Sequence, residues 1–449
     1  MISRLASQHV LLFAWKRRWG RALFLLTVGF PSLMFAYRTA RLAMAAQLAE
    51  SLSPATLRHA IALDPLNAEP YHRLGLIYLY SLEELNPAEG VRYLRRATEI
   101  NANRATYWLD FATACGSTGD TACVDQALER ALSLSPMTPR LRWATANHYL
   151  LTNRPQVALA HFRRLLELSP DYAWPAFRLS LRAVGDPQVV FQQVVPRVSS
   201  PLLKLAYVNF LSAQGEMDFA QQVWAKTVAS SPPFPFPLTR PYLEHLLGQG
   251  RVQQAVGVWR DLERMGAVQR PAGEDLENLV FNGSFEQPPL NAGFDWRARE
   301  LPCVYVDFAD RTSVQGVRSL RIDFTVKRNE DYLPVYQLVP VAPKQTYELT
   351  AQVRSAEITS DSGPRLRVHD PGCPACFDVA SAMTVGTTSW HSLSLTFVTG
   401  AQTQLVQLSM WRPRSRSFPT EIGGSFWVDA VSLRPVSPAA GLGLAPPAP

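Results

Sequence analysis

Between residues 53 and 270 apolar side chains recur three and four positions apart, the spacing of one face of an α-helix. The helical phrases end alike: AIALDP, ATEINA, ALSLSP and LLELSP. Asn101, Ser135 and Ser169 close three of them at intervals of 34 residues, whereas Pro65 lies 37 before Ala102, the excess falling in an insertion around Glu83 to Asn86. Ala158, Phe162 and Pro170 are matched by Ala220, Trp224 and Pro232 after only 62 residues, so the intervening repeat is about six short, and Ala255 and Trp259 follow at 35. The pattern predicts six helix pairs beginning near 68, 105, 139, 173, 201 and 236, after a half-repeat at 53 to 66.

After Pro271 the period changes to two. LRIDF, YELTAQV, LRV, SLSLTFV, LVQLSM and FWVDAVSL read as strands separated by polar turns, and so many strands in about 160 residues predict a two-sheet, all-β sandwich. Alternation places Val406, Leu408 and Met410 inward and Gln407, Ser409 and Trp411 outward. Tyr347, Leu349, Ala351 and Val353 likewise point inward, leaving Gln352 outward, and the other strands expose Asp323, Arg365, Arg367 and His369. If these strands share a sheet, Trp411, Gln407, Gln352, Arg367 and Asp323 form one face on which a sugar ring stacks and its hydroxyls bond. Such an outward Trp can equally be covered by a loop. Trp390 and Trp427 are assigned to packing, as are Trp143, Trp224 and Trp259 among the helices.

The chain begins differently. Ala22 to Tyr37 is a run of sixteen uncharged residues, with Arg4, Lys16, Arg17, Arg18 and Arg21 before it and Arg38 and Arg41 after it. That cation bias predicts a transmembrane signal anchor with the N-terminus in the cytoplasm; a signal cleaved near Ala43 and a buried helix are the alternatives. The net charge of +7 is concentrated here, since residues 1 to 52 hold seven cations and one anion. The remainder carries 37 basic and 36 acidic groups, leaving little to neutralise a phosphate backbone, so no nucleic-acid partner is expected.

The helical phrases resemble the tetratricopeptide repeat (TPR) family: Tyr71, Leu74, Gly75 and Tyr78 match its first helix, and Ala158, Phe162 and Pro170 its second. The resemblance implies a solenoid whose groove takes a protein partner, with Asn147 and Asn209 at the groove-facing position of their repeats. Residues 278 to 434 resemble carbohydrate-binding modules of the galactose-binding jelly-roll type, through NLVFNGSFE, SVQGVRSLRIDF, YQLVPVAPKQTYELTAQVRS, WHSLSLTF and WVDAVSL. That likeness implies glycan as ligand, and a structural calcium held by Glu286 and Asp429, although the acid that commonly adjoins the latter is here Ala430.

The multidomain organisation expected is therefore a basic segment and anchor over 1–52, TPR-like repeats over 53–270, a jelly roll over 271–436 and a Pro/Ala-rich tail over 437–449. Of the five cysteines, Cys115 with Cys123 and Cys373 with Cys376 suggest disulfides outside the cytoplasm, leaving Cys303; zinc on His369, Cys373 and Cys376 is the alternative. No HExxH, GxSxG, P-loop or GxGxxG opening a helix is present, and no catalytic residue is assigned. The expectation is a single-pass inner-membrane adaptor, its bulk periplasmic or extracellular, gripping protein through the repeats and polysaccharide through the sandwich. A pure protein-interaction scaffold and an uncharacterised glycan hydrolase are the alternatives.

Overall fold

A computed structural model describes residues 18–196, 201–325, 328–418 and 420–436. Arg4, Lys16 and Arg17 of the basic segment, and the tail 437–449, lie outside the described residues. The chain divides into two compact units, Met1–Pro196 and Arg197–Pro449.

The first unit opens with a continuous helix: α1 (Arg18–Phe24), a π-helical turn (Leu25–Gly29) and α2 (Phe30–Leu48). The wider turn immediately precedes Pro31, whose missing N–H and bulky ring an ordinary turn accommodates poorly. Ala22–Leu48 is apolar and, at 27 residues, spans about 40 Å, enough to cross a membrane; a signal sequence would pass the same test. The far end of α2 is anchored to protein instead, where Ala45 is buried and Arg41 Nε donates to the Leu63 carbonyl at 2.8 Å.

Helix α3 (Pro54–Leu63) is the half-repeat, and four helix pairs follow it. They are α4 (Ala68–Tyr80) with α5 (Pro87–Ile100), α6 (Ala105–Ser117) with α7 (Thr121–Leu134), α8 (Pro139–Leu151) with α9 (Pro155–Leu168), and α10 (Ala173–Val184) with α11 (Pro187–Gln193). The missing residues of the short repeat come out of α11, which has only seven. Prolines occupy the first turns of α3, α5, α8, α9 and α11, where no helical N–H is lost. Side chains of Asn67, Asn86, Asp120 and Asp186 cap four further N–H groups.

Close approach within a pair is set by small residues. A Cβ on Gly75 would lie 2.6 Å from Leu94, which fills the space against α5. Between repeats, polar contacts accompany an apolar core that joins Leu94, Phe111, Leu128 and Leu141. Glu69 accepts from the Tyr107 hydroxyl at 2.8 Å, His72 meets Asp110 at 2.7 Å, and Asp125 meets both His148 and Arg154. Burial and the neighbouring Arg142 guanidinium push the His161 imidazole down to about 4, and its Nδ1 lies 3.3 Å from Arg142 Nη1. Cys115 and Cys123 are disulfide-bonded, joining α6 to α7.

The second unit holds the last two helix pairs and the sandwich. The helices are α12 (Pro201–Ala213), α13 (Met217–Ser230), α14 (Arg240–Gly248) and α15 (Val252–Arg264). One sheet has the order β1 (Arg297–Ala298), β4 (Tyr332–Pro340), β9 (Leu405–Arg412), β6 (Arg365–His369), β7 (Asp378–Ala380). The other has β2 (Val304–Asp310), β3 (Ser319–Thr325), β10 (Gly423–Pro435), β5 (Thr346–Ile358), β8 (Gly386–Val398). All paired strands are antiparallel. Alternating residues of both sheets, among them Leu320, Ile322, Phe324, Val353, Leu366, Leu408 and Met410, meet in one core.

NLVFNGSFE is not a ladder strand. It is sewn in by side chains that imitate backbone: Gln337 both accepts from and donates to Phe281, and Asn278 bonds Val280, Leu433 and Val431. The last helix pair docks on the sandwich. Trp259 packs edge-on against Phe281 and Phe294, with centroids 5.3 and 5.6 Å away. Gly293, at φ +59°, sits so close that a Cβ would come within 2.3 Å of the Trp259 ring. Glu244 of α14 receives both Arg297 Nη1 and Nη2, at 2.8 and 2.9 Å, and the Gly293 N–H at 2.7 Å. Trp259 is thus a packing residue between helix and sandwich as well as between helices.

Glu286 and Asp429 do converge, but on amides. Asp429 accepts from the N–H groups of Val314, Gln315 and Ala430, and Glu286 from those of Val317 and Arg318. Calcium requires six to eight oxygens around it, whereas five N–H dipoles here already turn their positive ends to the two carboxylates. Among the described residues no three His, Cys, Asp or Glu side chains gather as a metal would need. In this structure the two carboxylates clamp the loop 312–318 through these amides. Cys373 and Cys376 are joined by a disulfide, so the zinc alternative fails because both sulfurs are already bonded.

Two outcomes follow from this packing. Asp429→Ala should lower stability by about 3 kcal/mol by stranding buried N–H groups, while EDTA should leave the melting temperature of the unaltered chain unchanged; a rise in that temperature on adding CaCl2 would restore the metal. For His161 the folded pKa is depressed, so its stabilising contribution is full above the unfolded value near 6.5 and is lost as pH falls toward about 4. His161→Gln should therefore weaken the acid destabilisation between those pH values by about 1 to 3 kcal/mol, read from urea midpoints measured at each pH.

Candidate functional site

The outward residues of β4, β9 and β6 build one surface of the sandwich, and strand register places them in rows. Leu338 pairs with Gln407 and Gln407 with His369; Tyr336 pairs with Ser409 and Ser409 with Arg367; Trp411 pairs with Arg365. At the edge, Arg297 of β1 stands opposite Tyr336. Trp411 and Tyr336 are half-buried, so part of each ring faces solvent. Arg367 and Arg365 lie over the Trp411 ring, 4.6 and 5.7 Å from its centroid, and Arg299 lies 4.7 Å from that of Tyr336.

The charges on this face are not equally engaged. Arg367 makes a bidentate pair with Asp378 at 2.7 and 2.5 Å, and Arg297 makes one with Glu244. The Arg367 guanidinium holds the Asp378 carboxyl below the usual range. Burial, with Arg367 alongside, lowers the pKa of His369, whose Nδ1 is buried without a hydrogen-bond partner. Arg412, at the end of β9, is wholly buried and fully satisfied: it donates to Ser362 O, Asn329 Oδ1, Glu330 O, Ser360 Oγ and Thr420 O. Three loops are thereby fixed at the Trp411 end of the face.

At the other end lies a cleft of about 880 Å³. Glu244, Leu247 and Val252 of the last helix pair form one wall, Leu338 and Leu405 extend the sheet into it, and the loop bearing the Cys373–Cys376 disulfide forms another wall. From Leu405 to Trp411 is about 20 Å along β9 at 3.4 Å per residue. The ring and amide of β9, flanked by the guanidinium groups of β6, therefore lead into a walled cleft, a shape suited to an extended ligand.

Alternation along each strand puts every one of these residues on its correct side, but the five chosen for one face divide between two. Trp411, Gln407 and Arg367 are together on this sheet. Gln352 lies on β5 and Asp323 on β3, both in the other sheet. There Asp323 bonds Arg321 and Ser425, and Trp427 is only 8% exposed beneath Arg321 and Arg354. Period two tells in from out, not which sheet carries the strand. The surface also has residues that sequence reasoning did not place there: Tyr336, Arg297, Arg299 and Leu338. Arg297 sits on a strand of two residues, too short to show alternation.

The groove asparagines are both half-buried and engaged. Asn147 donates to Trp143 O within its own helix, and Asn209 donates to Leu238 O at 2.9 Å, bracing the turn before α14.

No family model and no curated protein matches the chain. Among solved structures, a tetratricopeptide repeat protein from Parabacteroides merdae ATCC 43184 is 16% identical over 51% of this chain and 93% of its own, with a TM-score of 0.30. A family 16 carbohydrate-binding module is 16% identical over 35% of this chain and 99% of its own, with a TM-score of 0.24. The enzymatically active domain of tailspike protein 4 from bacteriophage CBA120 is 12% identical over 36% of this chain, at a TM-score of 0.27, and the match spans 22% of that domain. The elements and pairings of this chain give its own description: an apolar N-terminal helix, a tetratricopeptide-like helical repeat region, and an antiparallel sandwich of two five-stranded sheets.

Proposed function

We propose that this protein is a membrane-held adaptor that binds an extended glycan along β9 and a protein partner through its helical repeats, serving polysaccharide assembly or export. The observation carrying the glycan reading is the pair of half-buried outward side chains Trp411 and Gln407 on β9, the strand that leads into the walled cleft. A sugar stacks its C–H faces on an accessible ring and offers hydroxyls to amide and hydroxyl groups beside it. Gln407 has its amide outward for this. Binding rather than turnover fits the chemistry at hand, since Arg367 holds the Asp378 carboxyl below the usual range, away from the raised pKa of a general acid, and both Glu244 oxygens are taken by Arg297. The repeats, with Asn147 and Asn209, support a protein partner because successive helix pairs expose one helix of each pair to a shared surface. The apolar helix supports placement in the inner membrane with the bulk outside the cytoplasm, as do the two disulfides, which persist in oxidising compartments.

A protein-interaction scaffold is the second reading, favoured by the guanidinia that partly cover Trp411. Trp411→Ala in the full chain separates the two. Glycan affinity should fall by about 1 to 3 kcal/mol, measured by calorimetry, with little change in melting temperature because the ring is only half-buried. Unchanged affinity would place the sugar elsewhere, and an unaltered chain that retains no glycan across a broad array would leave the scaffold reading. For topology, an alkaline phosphatase fused after residue 60 should be active only outside the cytoplasm, and activity inside would refute the anchor.

A further inference from the structure

Not all arginines of the binding face are neutralised. Arg412 is satisfied by five acceptors, Arg367 by Asp378 and Arg297 by Glu244. Arg365 is different. It is half-buried, its contacts are long ones of 3.4 Å to Gly363 O and 3.5 Å to Ser362 Oγ and Met383 Sδ, and no carboxylate among the described residues pairs with it. Burial without a counter-charge lowers its pKa from the ordinary arginine value. Arg299 is exposed over Tyr336 and likewise lacks an acidic partner among the described residues. The carboxylates near the Arg412 end, Asp331 and Asp361, are turned to the Arg414 N–H and the Ser415 hydroxyl.

Position adds to this. The Arg299 N–H bonds the Pro334 carbonyl, Val335 pairs with Met410, and Arg365 pairs with Trp411. Arg299 and Arg365 therefore flank Trp411 across the sheet, about three strand spacings or 14 Å apart. Each unpaired guanidinium borders an accessible ring, so a ligand stacked on Trp411 or Tyr336 brings its substituents within reach of a planar, bidentate donor. A partly desolvated cation gains most from an anion that completes its hydrogen bonds. A neutral sugar would leave both charges uncompensated while excluding water from them.

We propose that the glycan taken by this face is an acidic polysaccharide, with Arg365 and Arg299 seating its carboxylate or sulfate groups on either side of Trp411; this rests on the glycan-binding reading above. The test uses the full chain in detergent on an array of neutral and acidic polysaccharides, including polygalacturonate, alginate and chondroitin sulfate, each uronate polymer beside its carboxyl-reduced counterpart. At least one acidic polymer should bind, its reduced form at least tenfold more weakly, with affinity falling steeply between 50 and 500 mM NaCl. Arg365→Gln should cost about tenfold for that polymer and Arg365→Lys less, because charge is kept while the planar fork is lost. Arg354→Gln, on the opposite sheet, should cost nothing, which separates a local seat from attraction to a basic protein. If Arg365→Gln does not fold, Arg299→Gln at an exposed position makes the same test. Equal binding of acidic polymer and reduced form, salt-insensitive binding, or loss with Arg354→Gln as large as with Arg365→Gln would overturn the acidic assignment and leave glycan binding standing. No binding to any glycan would instead overturn the reading on which it rests.

Discussion

The second unit depends on how closely Trp259 can approach the sandwich. With no side chain at Gly293, the indole lies over the backbone of residues 292–294 and its edges meet Phe281 and Phe294. Losing a buried Trp of this kind typically costs about 3 to 5 kcal/mol. The dry contact also fixes where Glu244 stands, so its carboxylate can take both Nη groups of Arg297 and the Gly293 N–H. An ion pair alone would give little orientation at a wet surface. Here, with Arg297 side-chain exposure at 14%, it is bidentate and held from both sides. One consequence is that the helix wall of the cleft and the edge of the binding sheet move as one piece.

Fixed geometry recurs at the other end of β9. Arg412 faces the loops rather than solvent, and its guanidinium ties residues 328–330, 360–362 and 420 together. Leaving such acceptors buried and unpaired costs about 1 to 3 kcal/mol each, so the arginine orders segments that have little hydrophobic content. Its neighbour Trp411 inherits a rigid base. A platform that does not rearrange on binding loses less entropy to its ligand.

Legibility of the sequence followed the length of the repeating signal. Helix pairs were readable because AIALDP, ATEINA, ALSLSP and LLELSP recur at near-constant spacing where α3, α5, α7 and α9 end. Strand faces were readable wherever alternation ran for five residues or more, as in β5 and β9. Three things were not. The assignment of β3 and β5 to the sheet opposite β9 is a matter of long-range pairing, which local periodicity does not encode. The opening segment, which reads as a strand, is held by Asn278 and Gln337 instead, and amide side chains that mimic backbone leave no pattern. Glu286 and Asp429 were paired in the sequence only through the family resemblance, as calcium ligands, and the amides each of them accepts from leave no trace there, since every residue but proline carries an N–H.

The two sheets carry the same local device with opposite outcomes. On each, a tryptophan at the outward position lies beneath two arginines: Trp427 under Arg321 and Arg354, Trp411 under Arg365 and Arg367. On the first sheet Asp310 and Asp323 draw Arg321 down, Ser425 bonds Asp323 in turn, and the indole is 8% exposed, so the arrangement closes on itself as surface packing. On the second, Asp378 engages Arg367 alone, and the strand beyond β9 is β4, whose Tyr336 supplies another ring instead of an acid. Each ring lies beneath one arginine paired with an acid and one, Arg354 or Arg365, that has no carboxylate partner among the described residues. What distinguishes the faces is that Trp411 is half-buried while Trp427 is covered. Ring exposure, and the second ring of Tyr336 beside it, therefore support the sheet of β9 as the binding side, with the unpaired Arg365 within reach of a ligand that brings its own negative charge.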